Sequence, residues 1–404
     1  MLKIIPTNQV TLGMHIEELK GAWVDHPFWK TKFVLKDPAD LKKLQDSVIK
    51  EVVIDISKGL DVTENTPSEV AQPQPVSPTP KSSVKKEGVK RVSASQERAQ
   101  AKRAIESSKK AVVSMFNDVR MGKAINAAHA MPLVEEISAS ITRNEGALIS
   151  LVRLKISDDY TYMHSVAVCA LMIALARQLE LSETEIKQVG FAGLLHDVGK
   201  ALIPVEILNK PGALTDKEFQ LIKLHPERGH SLLLEGKVKD EVALEVCLHH
   251  HEKIDGSGYP HKLAGDQISL YAKMGAVCDV YDAITSNRPY KAGWEPGVSL
   301  QRMAQWKGHF DETVFKAFVK SVGIYPIGSM VKLKSGRLAV VIDQSTKSLL
   351  SPIVKVFFST KSKSHIPIQI LDLSKPSEND DIIGHEDPVL WGIKNVSDIW
   401  DQDE

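Results

Sequence analysis

No sign of charge dominates this chain. Its 404 residues carry 51 lysines and arginines against 51 aspartates and glutamates. That balance removes the global field that nucleic-acid or membrane-surface binding would use, so no DNA or RNA partner is expected. Only three cysteines occur, Cys169, Cys247 and Cys278, scattered in apolar surroundings. This excludes a disulfide framework or a Cys-rich zinc module and predicts buried thiols in a reducing, cytoplasmic setting. The longest apolar run, VAVCALMIALA at 166–176, is eleven residues, too short for a bilayer and suited to a buried helix. The opening MLKIIPTNQV has no signal-peptide pattern. No glycine-rich phosphate loop or dinucleotide fingerprint is present either.

The balanced total conceals local asymmetry. Residues 81–110 hold ten basic and three acidic side chains, and residues 378–404 hold nine acidic and one basic. Both are expected to be solvated, one a linker and the other an acidic tail. Residues 1–60 read as a small α+β module: IEELK a strand, WVDHPFWKTKFVL an aromatic-rich loop and strand, DPADLKKLQDSVI a helix, VVIDI a strand. Residues 61–97 read as a linker, with five prolines between 67 and 80 and too little apolar surface to offset ordering. Helical periodicity then runs from about 98 to 320, with 98–150 preceding a core at 151–324. Ser182 and Glu185 make a capping box before one apolar helix, and Pro132 fits the first turn of another. Beyond 325, SMVKLKSG, RLAVVIDQS, PIVKVFFST and PIQILDL predict four strands. The fold class is mainly α, with an all-helical core between a small α+β module and a small β-rich extension.

Eight of the fourteen histidines fall between 164 and 261. His196 and Asp197 close an apolar helix in GLLHDVGK, and burying either side chain unpaired is costly. Side by side, an imidazole and a carboxylate can hold the same or neighbouring divalent ions, with the carboxylate bridging. Lys200 follows about one turn away, where an ammonium would meet a phosphate oxygen. His164, in YTYMHSVAV, and His225, in KLHPERGH, decide nothing alone, because a histidine on an apolar face is more often a satisfied core residue. Asp279 and Asp282 share a helix face at i, i+3, with Arg288 and Lys291 just past the helix end. Imidazole plus carboxylate without thiolate suits Mn, Fe, Ni, Co or Zn. Two such ions about 3.5–4 Å apart clamp a phosphodiester for in-line attack.

In chain order these pieces are His164, HDVGK at 196–200, His225, HHEKIDGSGYP at 250–260, DVYDA at 279–283 and RPY at 288–290. Together they resemble the HD superfamily of metal-dependent phosphohydrolases and, within it, the HD-GYP family. DGSGYP after paired histidines is the most specific part. The N-terminal module resembles the uncharacterised domain that precedes HD-GYP in many bacterial proteins. The resemblance implies an all-helical HD-type core and hydrolysis of cyclic di-GMP to pGpG, GMP or both. It implies two divalent ions, Mn or Fe ahead of Ni, Co or Zn, on His164, His196, Asp197, His225, His250, His251 and Asp279. Lys200, Asp197 and Asp282 are the expected catalytic groups. Lys200, Tyr259, Gly256, Arg288 and Lys291 are expected at the substrate. GGDEF-type partners would dock on the GYP loop, and a homodimer is compatible. A non-catalytic cyclic di-GMP receptor or scaffold, or an HD phosphohydrolase for another nucleotide such as 3′,3′-cyclic GMP-AMP or (p)ppGpp, are the alternatives. Members with three metals carry a glutamate four residues before the first histidine, and here that position is Tyr160. Lys253 stands where many members have arginine. His249 is left without a role, and Glu252 and Asp255 are expected to brace the turn.

Overall fold

The computed structural model describes residues 2–20, 33–60, 92–124, 130–144, 160–286 and 293–393, apart from 46, 48, 93, 211, 346 and 347, and adds the isolated positions 146, 148, 396 and 399. The chain divides into two compact units, Met1–Gly88 and Val89–Glu404.

In the first unit, strands β1 (Leu2–Pro6), β2 (His15–Lys20), β3 (Phe33–Val34) and β4 (Glu51–Asp55) form an antiparallel sheet in the order β1-β4-β2-β3. Helix α1 (Pro38–Gln45) accompanies it. Ile5, Met14, Ile16, Leu35, Leu44, Val52 and Ile54 make its core. The first strand goes unmarked by the sequence pattern, because it is short and ends at Pro6. It is fixed by pairing with β4, from Leu2 opposite Asp55 to Pro6 opposite Glu51. The WVDHPFW cluster lies outside the described residues.

The second unit opens with α2 (Ala94–Arg120), four residues before the expected helical start at 98. A tertiary anchor explains the early start. Glu97 is buried and accepts hydrogen bonds from Ser140 Oγ at 2.8 Å and from Arg143 Nε and Nη2 at 2.6 and 2.7 Å. Both partners belong to α3 (Met131–Arg143). Helix α4 (Tyr160–Gln178) is apolar on every side and is buried throughout residues 163–176. It packs against α2, α3, α5 (Glu183–Leu195), α10 (Leu270–Thr285) and α12 (Glu312–Val322). The Ser182–Glu185 capping box starts α5 as the sequence predicts, typically a contribution of about 1 kcal/mol. A 3-10 turn over Val198–Leu202 leads to α6 (Val205–Leu208), α7 (Asp216–Ile222), α8 (His225–Glu235) and α9 (Glu241–His249). Helix α11 (Pro296–Gln305) precedes α12, which Asp311 caps and which closes the helical stretch. All three cysteines are buried and free. Among the described residues no helix is long and apolar enough to cross a membrane.

The C-terminal region holds β5 (Met330–Leu333), β6 (Arg337–Asp343), β7 (Ile353–Ser359), β8 (Ser364–Asp372) and β9 (Ile382–His385), antiparallel in the order β8-β7-β6-β5-β9. Its described residues form five strands where four were expected. The fifth lies inside the segment read as a solvated acidic tail. Asp380 is buried there, accepting from Arg337 Nη2 at 2.9 Å and from the Ser335 amide at 3.0 Å, which folds the acidic stretch back onto β5.

Candidate metal centre

Five helix ends or faces converge on one buried point. His164 sits near the start of α4, and His196 caps α5 with Asp197 leaving the helix beside it. His225 begins α8, and His250 and His251 follow the last residue of α9. Asp279 and Asp282 lie on α10. Neighbouring residues on a helix point about 100° apart. The adjacent pairs His196–Asp197 and His250–His251 therefore occur where a helix stops and the backbone is free to spread them. Gly199 permits the closest approach. A Cβ there would fall 2.0 Å from the His225 carbonyl oxygen, so only glycine lets the 3-10 turn reach α8.

The donor atoms fall into two groups, each within 4.8 Å internally: Asp197, His225, His250 and His251, then His164, His196 and Asp279. Asp197 divides its carboxylate between them. Its Oδ1 lies 3.1 Å from His225 Nε2 and 3.7 Å from His250 Nε2, while Oδ2 lies 3.4 Å from both His164 Nε2 and His196 Nε2. Asp279 repeats the division, with Oδ1 2.9 Å from His164 Nε2 and Oδ2 3.7 Å from His251 Nδ1.

Hydrogen bonds set the tautomers. The Nδ1 atoms of His196, His225 and His250 lie 2.8, 2.7 and 2.9 Å from the carbonyl oxygens of Gly193, Ile222 and Val246, and each donates its proton there. His164 Nδ1 does the same to Asp282 Oδ2 at 2.7 Å. Four Nε2 lone pairs then point inward. Two of the pairs, His196–His164 and His225–His250, meet at 3.3 Å. Asp197 Oδ1, fully buried, has no hydrogen-bond donor. Acceptors facing acceptors at this spacing require a cation between them, and the residue set fits divalent ions.

Electrostatics agree with that reading. Burial first, then the neighbouring His196 and His225, push the His250 ring down to about 3. His251 is likewise held well below its usual range by burial and by His250. Burial alone would raise Asp197, but Lys200 and His196 overcome it and hold the carboxyl well below the normal range. Asp279, which burial alone would raise, is also held well below the normal range by the neighbouring rings of His164, His251 and His196. Lys200 Nζ makes a close ion pair with Asp197 Oδ2.

The turn after His251 forms one wall. Gly256 takes φ +76°, and buried Glu252 accepts from the His261 and Leu263 amides at 2.7 and 3.1 Å. Asp255 Oδ1 accepts from the Ser257 amide at 2.9 Å. The Tyr259 ring stacks on His251 with centroids 4.7 Å apart, and Lys223 Nζ stands 5.2 Å from its centroid. Lys223 went unnoticed in the sequence, its only signal being its place two residues before His225. Asp282, expected among the catalytic groups, lies behind His164, with Oδ2 on the Nδ1 side of that ring and away from the point where the lone pairs meet. Arg288 and Lys291 lie outside the described residues.

Comparison with known proteins agrees. The HD domain profile matches residues 141–314, and a domain of unknown function (DUF3391) matches residues 2–130. The chain is 54% identical over 401 residues to cyclic di-GMP phosphodiesterase PA4108 of Pseudomonas aeruginosa, covering 99% of this chain and 96% of that protein. The chain belongs to the HD-GYP family. This HD-GYP protein is also 41% identical over 148 residues to the cyclic di-GMP phosphodiesterase response regulator RpfG of Xanthomonas campestris, 36% of this chain and 39% of that one. It is 41% identical over 139 residues to the 3′3′-cGAMP-specific phosphodiesterase 2 of Vibrio cholerae, 34% of this chain and 27% of that one.

Proposed function

We propose that this HD-GYP protein is a metal-dependent phosphodiesterase that hydrolyses cyclic di-GMP to pGpG, GMP or both. The division of the Asp197 carboxylate between two histidine groups carries the reading. The near full-length likeness to a protein named cyclic di-GMP phosphodiesterase supports the substrate.

His225, His250 and His251 would hold one ion and His164, His196 and Asp279 the other, with Asp197 spanning both. Mn or Fe suits this set ahead of Ni, Co or Zn. Tyr160 in place of a glutamate supports two ions rather than three. When bound, such ions neutralise the phosphodiester and acidify the attacking water. The residues do the rest. Asp282 and three backbone carbonyls keep the Nε2 lone pairs aimed inward. Lys200, next to Asp197, offers its ammonium to a phosphate oxygen. Tyr259 and Gly256 wall the entrance, and Arg288 and Lys291, which follow α10 in the sequence, are assigned to the substrate phosphates.

Metal analysis of anaerobically purified protein, followed by a panel of cyclic di-GMP, 3′,3′-cyclic GMP-AMP and linear nucleotides, tests this. Two ions per chain and preferred cleavage of cyclic di-GMP are expected. Three ions, or preferred cleavage of another nucleotide, would overturn the corresponding part.

A further inference from the structure

Lys223 caps the C-terminal end of α7, two residues before His225. The chain on either side of it is held at the metal centre. The Ile222 carbonyl takes the His225 Nδ1 proton at 2.7 Å, and His225 belongs to the first donor group. The Lys223 side chain is partly exposed and reaches no carboxylate among the described residues. Its Nζ stands 4.9 Å from the Phe219 ring centroid and 5.2 Å from that of Tyr259. Tyr259 is itself tied to a ligand. Its ring stacks on His251, and its amide donates to the His251 carbonyl at 3.2 Å. A cation over a ring gains a weak attraction, but its N–H donors find no oxygen there. Lys200, by contrast, already has the Asp197 carboxylate. Lys223 therefore brings to the wall of the centre a positive charge that no described acid neutralises.

We propose that Lys223 binds the second, uncleaved phosphate of a cyclic dinucleotide while the metal centre holds the first, and so favours such rings over simple phosphodiesters. The proposal rests on the phosphodiesterase reading above. A cyclic dinucleotide carries two phosphodiesters in one closed ring. With one of them at the metal centre, the other stays close by and keeps its negative charge. An ammonium on a flexible stem is a point charge suited to a phosphate oxygen that does not react. Phe219 and Tyr259 keep that charge beside the GYP turn without neutralising it.

Initial rates of metal-loaded, full-length wild type, Lys223→Met and Lys223→Arg test this, with metal content measured alongside. The substrates are the cyclic dinucleotide that the wild type cleaves fastest and bis(p-nitrophenyl) phosphate, which has a single phosphate. Lys223→Met is expected to raise KM for the cyclic dinucleotide about tenfold, well beyond any change in kcat. Its loss of kcat/KM on bis(p-nitrophenyl) phosphate is expected to be much the smaller. Lys223→Arg, which keeps the charge, is expected to recover most of the KM. An unchanged KM in Lys223→Met, equal losses on the two substrates, or the same rise in Lys223→Arg would overturn the proposal. A wild type that cleaves bis(p-nitrophenyl) phosphate but no cyclic dinucleotide would overturn the proposed function itself, and the role of Lys223 with it.

Discussion

Asp282 Oδ2 lies 2.7 Å from Nδ1 of His164, and both side chains are buried. Asp279, one turn earlier on the same helix, faces the other nitrogen of that ring at 2.9 Å. Two carboxylates at i, i+3 therefore bracket one imidazole, one fixing its tautomer and the other sharing its outlook. Asp282→Asn keeps the shape but lets the amide donate, which reverses the tautomer. Metal affinity is expected to fall about 10–100-fold with the fold unchanged. Metal titration alongside circular dichroism checks this.

Gly199 is where helix α8 and the turn after Asp197 meet. A methyl group there would lie 2.0 Å from the His225 carbonyl and 2.6 Å from the Gly229 amide nitrogen. Gly199→Ala is expected to destabilise the fold by about 1–3 kcal/mol and to weaken metal binding, because His225 must move with its backbone. Urea unfolding and metal content measure the two effects.

Acid is expected to destabilise the metal-stripped protein. An unfolded histidine takes its proton near 6.5, whereas folded His250 does so only at about 3. Between those values the unfolded chain binds the extra proton, so stability falls as pH falls through that window. Asp197 and Asp279, both held well below 3.8 in the folded state, add to the loss at still lower pH. Thermal melting of stripped protein between pH 7 and 4 should show a falling midpoint, and His250→Gln should flatten the slope between pH 6.5 and 4.

Glu97 joins α2 to α3 through Arg143 and Ser140. Glu97 is almost fully buried and Arg143 about a quarter exposed. Glu97→Ala is expected to lower stability by about 3 kcal/mol, toward the lower end for a broken buried pair. Denaturant midpoints read the change, and turnover of the protein that remains folded should be unaffected.

The grouping of the candidate metal-ligating residues was legible in the sequence because its chemistry is local. HDVGK and HHEKIDGSGYP place consecutive ligands at helix ends, and residue type alone excludes thiolate sites. The role of Asp282 was not legible: i, i+3 spacing gives a shared face but not which nitrogen of His164 each carboxylate meets. Lys223 and the Glu245–His249–His261 chain were hidden for the same reason, since contacts between α7, α9 and the turn leave no periodic trace. Charge patterning hid β9 inside the acidic stretch, because buried Asp380, paired with part-exposed Arg337, holds it on the sheet while Asp381 and Asp387 stay exposed. Glu97 defeated the linker boundary in the same way.

The most direct test is the release of linear dinucleotide from cyclic di-GMP by metal-loaded protein, wild type beside the His196→Ala, Asp197→Ala double variant. The predicted result is metal-dependent appearance of pGpG or GMP in the wild type and none in the variant. No turnover by the wild type under saturating Mn or Fe, in both oxidising and reducing conditions, or equal turnover by the two proteins, would contradict it.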